Sequence, residues 1–327
     1  MTDSASAIAS HDLTVARDLA LLGLPPANWP DQVVGPGGVK VADVVVVGAG
    51  MNGVAAAASL VLKGVLNIRV LDHSTPGREG PWLSYARMET LRSPKELTGP
   101  ALGIPSLTFQ AWYRASRGDE AWEALYKIPN ADWAEYLSWL QRVLKLPVEH
   151  GTKVRRVQPD GRFIRLETTS RTAEVTSWAR RVVLATGRGG AGGFHVPDFV
   201  DPLLWPDLAA HTNEHIDFDA LHGKRIAVIG GGASGWDNAA VALETGAARV
   251  DMFVRRPFLP QINKGRGSSY PGFLLGFGAL DDADRWALHV YTNDLQPPPP
   301  HETVHRTLRN SGFHIHFSSA VTDVRAG

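Results

Sequence analysis

The sequence contains no cysteine. That single absence removes disulfides, thiolate metal sites and any mechanism in which a dithiol passes electrons. Net charge is missing as well: 33 Lys and Arg balance 33 Asp and Glu. No overall field draws in nucleic acid or an anionic membrane, so a charged ligand must be held by local groups. Long apolar runs are also lacking, because glycines interrupt each one well short of the roughly 20 residues that a spanning helix needs. The opening "MTDSASAIASHD" has neither the basic start nor the apolar stretch of a secretory signal. The expectation is a cytoplasmic, soluble protein with no metal, no nucleic-acid partner and no membrane partner.

What is present is ordinary globular material: 327 residues, 44% hydrophobic and 20% charged, long enough for about two domains. Glycine supplies 33 residues, and its placement carries the information. Residues 43–58 read "DVVVVGAGMNGVAAAA" and residues 224–239 read "KRIAVIGGGASGWDNA". Each is an apolar strand breaking into a glycine turn and then a helix start.

At the first, Gly48, Gly50 and Gly53 follow a run, Val41 to Val47, apolar enough for a parallel strand buried on both faces. A second strand, "NIRVLD", ends in Asp72. In a dinucleotide-binding unit the first glycine permits the turn, the second lets backbone approach a pyrophosphate and the third lets helix and strand pack closely. The helix N-terminus supplies amide donors, and the acid at the next strand end accepts from ribose hydroxyls. At the second, Gly230, Gly232 and Gly235 repeat the spacing, with Ser234 near the helix start, but the next strand ends in Arg255 and Arg256. A carboxylate would repel a 2′-phosphate and an arginine fork would clamp one. The two turns therefore predict two different nucleotides, FAD at the first and NADPH at the second.

Between them, Trp112, Trp122, Trp133 and Trp139 crowd into a segment of helical spacing and read first as core. Residues 147–185 alternate short β-like runs with turns, an antiparallel meander that returns to the parallel sheet through "RRVVLATG". "HDLTVARDLALLGL", closed by "PPANWP" and "GPGG", reads as a helical leader, the stretch from Pro257 to about Asp281 as a glycine-rich loop, and "GFHIHF" as a last strand. The fold class is α/β with two Rossmann-like dinucleotide-binding domains. Its boundaries are 1–40 for the leader, 41–222 for the FAD domain with its helical and antiparallel β insert, and 223–327 for the NAD(P)H domain.

Taken together these motifs resemble the two-dinucleotide-binding flavoproteins, and within them the flavin-containing and Baeyer–Villiger monooxygenases. "GGGASGWDNA" is similar to that group's G-x-G-x-S-G-x-D-x-A element. "EGPW", ending at Trp82, resembles the G-G-x-W segment near the flavin, and "LATG", ending at Gly187, resembles the strand closing the FAD domain. "GTKVRRV" is similar to a stretch whose backbone, here near Val154, would touch adenine.

The resemblance implies that NADPH reduces FAD, that oxygen forms a peroxyflavin, and that one oxygen atom passes to a small organic substrate, with no acid–base residue required. The catalytic residues stay unassigned and the substrate open. "WPDLAAH", ending at His211, is a loose likeness of the fingerprint linking the domains, with Trp205 and Asp207 in place of its Phe and Gly, and Pro94 stands where relatives often place asparagine. The group also returns to its FAD domain after the NADPH domain, a return this sequence is expected to lack.

Two alternatives remain open: a flavin reductase or oxidase without oxygen insertion, and a non-catalytic nucleotide-binding protein. Disulfide reductases of the same architecture need a cysteine pair, absent here. A homo-oligomer is compatible with the sequence.

Overall fold

The computed structural model describes residues 2–294 and 297–326. Chain contacts divide it into two compact units, Met1–Phe194 and His195–Gly327. The connecting segment 195–222, which the sequence reading assigned to the first domain, thus groups with the second unit.

The first unit begins with helix α1 (Thr2–Leu21), followed by strand β1 (Ala42–Val47), helix α2 (Met51–Leu62) and strand β2 (Ile68–Leu71). Then come α3 (Phe109–Arg117), α4 (Asp119–Ala124), α5 (Asn130–Val143) and strands β3 (Val148–Glu149), β4 (Lys153–Asp160), β5 (Phe163–Thr169) and β6 (Glu174–Leu184). One six-stranded sheet has the order β3-β2-β1-β6-β5-β4. β1 pairs in parallel with β2 and with β6, while β4, β5 and β6 form the antiparallel meander. Strand β6 belongs to both: its early residues face β5 and its later ones, to Leu184, run beside β1. The chain leaves β1 towards β2 on one side and returns through β6 on the other, which makes the end of β1 a topological switch point.

β1 is buried along its whole length. Val44 and Val46 enter the larger core with α2 and α5, whereas Val45 and Val47 enter a smaller core with Leu71, Leu166 and Ala179. Covered on both faces, the strand gains about 1.5–3 kcal/mol per buried valine. The tryptophans expected in the core are there: Trp112, Trp122, Trp133 and Trp139 are each at most 5% exposed. Phe109 packs its ring within 5.3–6.4 Å of Trp112, Trp122, Trp133 and Tyr136.

The helix set apart in the sequence as a leader packs onto this cluster. Val15 is fully buried, and Asp12 accepts from Trp139 Nε1 at 2.8 Å and from Arg142 at 2.6 Å. Partial burial acts to raise the Asp12 pKa, but those two hydrogen bonds outweigh it and hold the carboxyl below its ordinary range. His11 stacks on Trp139 and approaches Ser106 O at 2.9 Å.

The second unit holds β7 (Arg225–Ile229), α6 (Ala233–Glu244), β8 (Arg249–Phe253), α7 (Pro271–Gly276), α8 (Asp282–Asn293), α9 (His301–Leu308) and β9 (Phe313–His316). Its three parallel strands have the order β7-β8-β9. The stretch read as a glycine-rich loop contains α7 and leads into α8; its glycines weakened the helical signal without preventing a short turn of helix after Pro271, a residue suited to a first helical position. Asp251 on β8 accepts from Arg249 at 2.6 Å and stands 2.7 Å from His316 Nε2 on β9, bonds that hold its carboxyl far below the usual range.

Tyr136 is wholly buried and donates to Leu107 O at 2.7 Å, and burial pushes its phenol well above the usual range. Tyr136→Phe removes that donor and leaves a buried carbonyl without it, a loss of about 1–3 kcal/mol. Urea unfolding should show a lower midpoint with an unchanged slope; an unchanged midpoint would show that the bond contributes nothing net.

Candidate functional site

Each glycine turn divides its labour in the same way. Gly48 has φ +103°, and a Cβ there would lie 2.4 Å from Ala185 O. Its own N–H donates to Leu71 O, so the turn is wedged between the ends of β2 and β6. A Cβ on Gly53 would lie 1.8 Å from Gly48 O, which no relaxation of a flexible side chain can relieve. Gly50 differs. It caps α2 with no side-chain hydrogen bond and has φ −67°, open to any residue, and a Cβ there would meet nothing nearer than Gly80 Cα at 3.7 Å.

In the second unit Gly230 has φ +104° and donates to Phe253 O, and a Cβ on Gly235 would lie 2.4 Å from Gly230 O. Gly232 caps α6, again without a side-chain partner, and a Cβ on it would have nothing within 4 Å. Two glycines of each triad serve their own chain. The middle one leaves space in front of a 12-residue helix whose first amides point outward. An anionic pyrophosphate fits that space and that dipole, so the residues present fit a dinucleotide at each turn.

Asp72 lies where the sequence placed it, at the end of β2, but it is only 5% exposed. Its Oδ2 accepts from Ala49 N and its Oδ1 from Ser74 N, both at 2.7 Å. The carboxylate expected to take ribose hydroxyls is thus also the clamp that fixes the glycine turn. A carboxylate has about four acceptor sites, and those not used by the two amides are what it has for a ribose.

The other first-unit candidates gather at the same carboxyl end of the sheet. Gly187, with φ +70°, follows Ala185, whose N–H donates to Val47 O. Val154 pairs with Thr168 just after Thr152, whose N–H donates to Asp72 O. Trp82 packs edge-on against Trp133 at 6.1 Å, and its indole N–H is buried without a protein acceptor. In the second unit Arg255 is exposed and Arg256 half-buried, two and three residues beyond the Phe253 carbonyl that holds Gly230. Ser234 is exposed in the first turn of α6, where its carbonyl accepts from Asn238. His211 and Trp205 share one partner, Glu214: the His211 backbone donates to it at 2.5 Å and Trp205 Nε1 at 3.2 Å. Burial lowers the His211 pKa.

Three residues near these candidates were missed in the sequence. Glu79 and His150 form a close pair with side chains 6% and 23% exposed. Glu79 adjoins Gly80, and His150 adjoins Gly151, whose N–H donates to Ser74 O. The pair therefore fastens the "EGPW" segment to the turn beside Asp72. Lys264, 17% exposed, reaches Asp294 at 3.2 Å, and Arg256 bonds the carbonyl of the same residue at 3.4 Å. A third cation thus stands beside the arginine pair. Seventy-one residues separate Glu79 from His150, and no local spacing joins them.

The family profile of pyridine nucleotide-disulphide oxidoreductases matches residues 45–266, from inside β1 to beyond the arginine pair. The chain belongs to this family. As a cysteine-free member it has no dithiol for the relay that the family's name describes. The chain is 40% identical over 312 residues to the FAD-dependent urate hydroxylase of Xanthomonas campestris pv. campestris, covering 95% of this chain and 66% of that relative's length.

Among solved structures, the ornithine hydroxylase of Pseudomonas aeruginosa matches with a TM-score of 0.72 at 17% identity, over 88% of this chain and 75% of that one. The FAD-bound cadaverine monooxygenase of Erwinia amylovora matches at 0.68 and 17%, over 88% and 71%. The bacillithiol disulfide reductase of Bacillus cereus matches at 0.54 and 19%, over 87% and 70%. These structural likenesses establish the fold that this family member shares with them. Among the described residues no helix is long and apolar enough to cross a membrane, and no group of three or more His, Asp or Glu is placed to hold a metal.

The glycine geometry separates two kinds of failure. Gly53→Ala should lower the melting temperature, because its Cβ collides with the Gly48 carbonyl. Gly50→Ala should melt within a degree or two of the wild type and yet lose affinity for FAD, measured by flavin fluorescence quenching. Equal FAD affinity in Gly50→Ala would remove the pyrophosphate from this turn.

Proposed function

We propose that this chain is an FAD-dependent, NADPH-using monooxygenase that places one oxygen atom of O2 on a small organic substrate. The carrying observation is the pair of glycine turns that match in shape and differ in neighbours: a buried acid beside one, two arginines and a lysine beside the other. A second support is the 40% identity to an FAD-dependent urate hydroxylase. Residues 41–194 are assigned to FAD and 223–327 to NADPH, with the connecting segment 195–222 part of the second unit, and the cysteine-free composition suits a reducing, cytoplasmic setting.

When bound, FAD would accept a hydride from NADPH and pass the electrons to O2, the chemistry that makes oxygen transfer possible. The overall balance is substrate, NADPH, a proton and O2 giving oxygenated substrate, NADP⁺ and water. The chain's residues bind and orient. Gly48, Gly50 and Gly53 bring the first amides of α2 to a pyrophosphate, and Asp72 holds that turn rigid while offering its remaining acceptor sites to a ribose. Gly80 lies against Gly50 and Trp82 against Gly80, with Glu79 and His150 tying this segment in place, while Val154 and Gly187 give backbone edges beside the same strand ends. In the second unit Gly230, Gly232, Ser234 and Gly235 form the corresponding cradle. Arg255 extends into solvent from the end of β8, where it would meet a 2′-phosphate, and Arg256 stands next to it.

Arg255→Ala should raise the Michaelis constant for NADPH about 10-fold or more and change that for NADH by less than about 2-fold, the loss of one charge-assisted phosphate contact. Equal effects on both nucleotides would refute the 2′-phosphate assignment. Oxygen-transfer chemistry itself is tested by accounting for peroxide in air with urate present. Little peroxide per NADPH supports a coupled monooxygenase; one peroxide per NADPH makes the protein an oxidase.

A further inference from the structure

Helix α9 of the second unit has two faces in different surroundings. On the inner face Thr303 and Thr307 are buried, and Thr303 Oγ1 donates to Asp237 of α6 at 2.9 Å. Arg306 Nε donates to Glu244, the last residue of α6, at 2.6 Å. The first turn of α9 is closed by Val304 N donating to Pro300 O at 3.0 Å. The helix is thus held from behind and at its start. On its outer face His301 and His305 are both exposed.

Residues four apart on a helix are neighbours on its surface. Here that spacing brings His301 Nε2 to 2.9 Å from His305 Nε2, with ring centres 4.3 Å apart and ring planes at 70°. The rings therefore meet corner to corner, with one nitrogen of each at the meeting point. Two neutral imidazoles share a proton there, one donating and the other accepting. If the donor ring carries its proton on Nδ1 instead, both Nε2 lone pairs become available to a metal ion, and a neutral pair need release no proton. The separation also selects a geometry. With metal–nitrogen bonds of about 2.0 Å, nitrogens 2.9 Å apart subtend about 90° at the ion. That is the cis angle of a tetragonal centre, whereas a tetrahedral ion needs its nitrogens about 3.3 Å apart.

We propose that His301 and His305 form a two-histidine site for a divalent transition metal of tetragonal preference, copper(II) or nickel(II), with water in the remaining positions. The absence of cysteine excludes thiolate sites and leaves imidazole ones open. Two nitrogens from one rigid helix act as a chelate, so losing either removes most of the affinity. The ion spans the first turn of α9, the turn whose Thr303 bonds Asp237 two residues beyond Gly235. The site does not depend on the nucleotide assignments and is measured without them.

Calorimetric titration of the untagged full chain with copper(II), and separately with nickel(II) and zinc(II), tests this. The chain has 12 histidines, so the tightest single equivalent is the one to follow. His301→Asn and His305→Asn should each weaken that equivalent at least 10-fold, and the double variant should add less than about 2-fold, because the pair acts as a unit. His314→Asn, which alters an exposed histidine on β9, should leave it unchanged. Both mutated rings lie on an exposed face, and an unchanged circular dichroism spectrum checks that the variants are folded. Nickel should bind at least as tightly as zinc. No tight equivalent, a loss under 2-fold in either folded single variant, or an equal loss in His314→Asn would overturn the site; tighter zinc than nickel would overturn its tetragonal geometry.

Discussion

The contact between Gly53 and the Gly48 carbonyl, with its counterpart between Gly235 and the Gly230 carbonyl, is the constraint on which the two proposed nucleotide sites depend. A helix can begin directly against the turn that precedes it only where no Cβ intervenes. That close approach brings the first amides of α2 and α6 to the ends of their sheets; the middle glycine then faces open space at Gly232 and only the backbone of Gly80 at Gly50. Without it the helix would start farther out, and the dipole and free N–H groups would not converge beside the strand ends. The same constraint used twice explains why one chain carries two copies of the device.

The surroundings then distinguish the copies. Around the first, Asp72 binds two backbone amides, and the Glu79–His150 pair ties a loop to a turn, so the turn is held by charge-assisted hydrogen bonds from several directions. Around the second, β7 is half exposed along its length and the flanking charges are cations on a strand end. The first turn is built into a buried, two-sided sheet with a large aromatic core beneath it. The second sits on a smaller unit, where Arg255 is exposed, Arg256 half-buried and Lys264 largely buried.

Much of this was legible in the sequence because it is local. The glycine spacing, the valine run, the acid and the arginines at successive strand ends and the helical spacing of the tryptophans all lie within short windows, and each window specifies its own geometry. What was not legible depends on distant partners. Glu79 reads as an ordinary loop acid until His150 meets it, and Lys264 reads as a surface cation until Asp294 links it to Arg256. Asp72 was recognised by position, but its two amide partners could not be, since the fold of the turn decides them. Helix α7 was hidden by a composition rich in glycine, and the leader helix showed no sign that Asp12 would bind the Trp139 indole across 127 residues.

The central claim is that one chain brings electrons from a nicotinamide to a flavin using the two turns. An absorbance spectrum of the purified protein with FAD, followed by anaerobic addition of NADPH, tests it most directly. The account predicts a protein-bound flavin spectrum that bleaches on addition of NADPH. Flavin that stays oxidised with NADPH bound, or flavin that never binds, would contradict it.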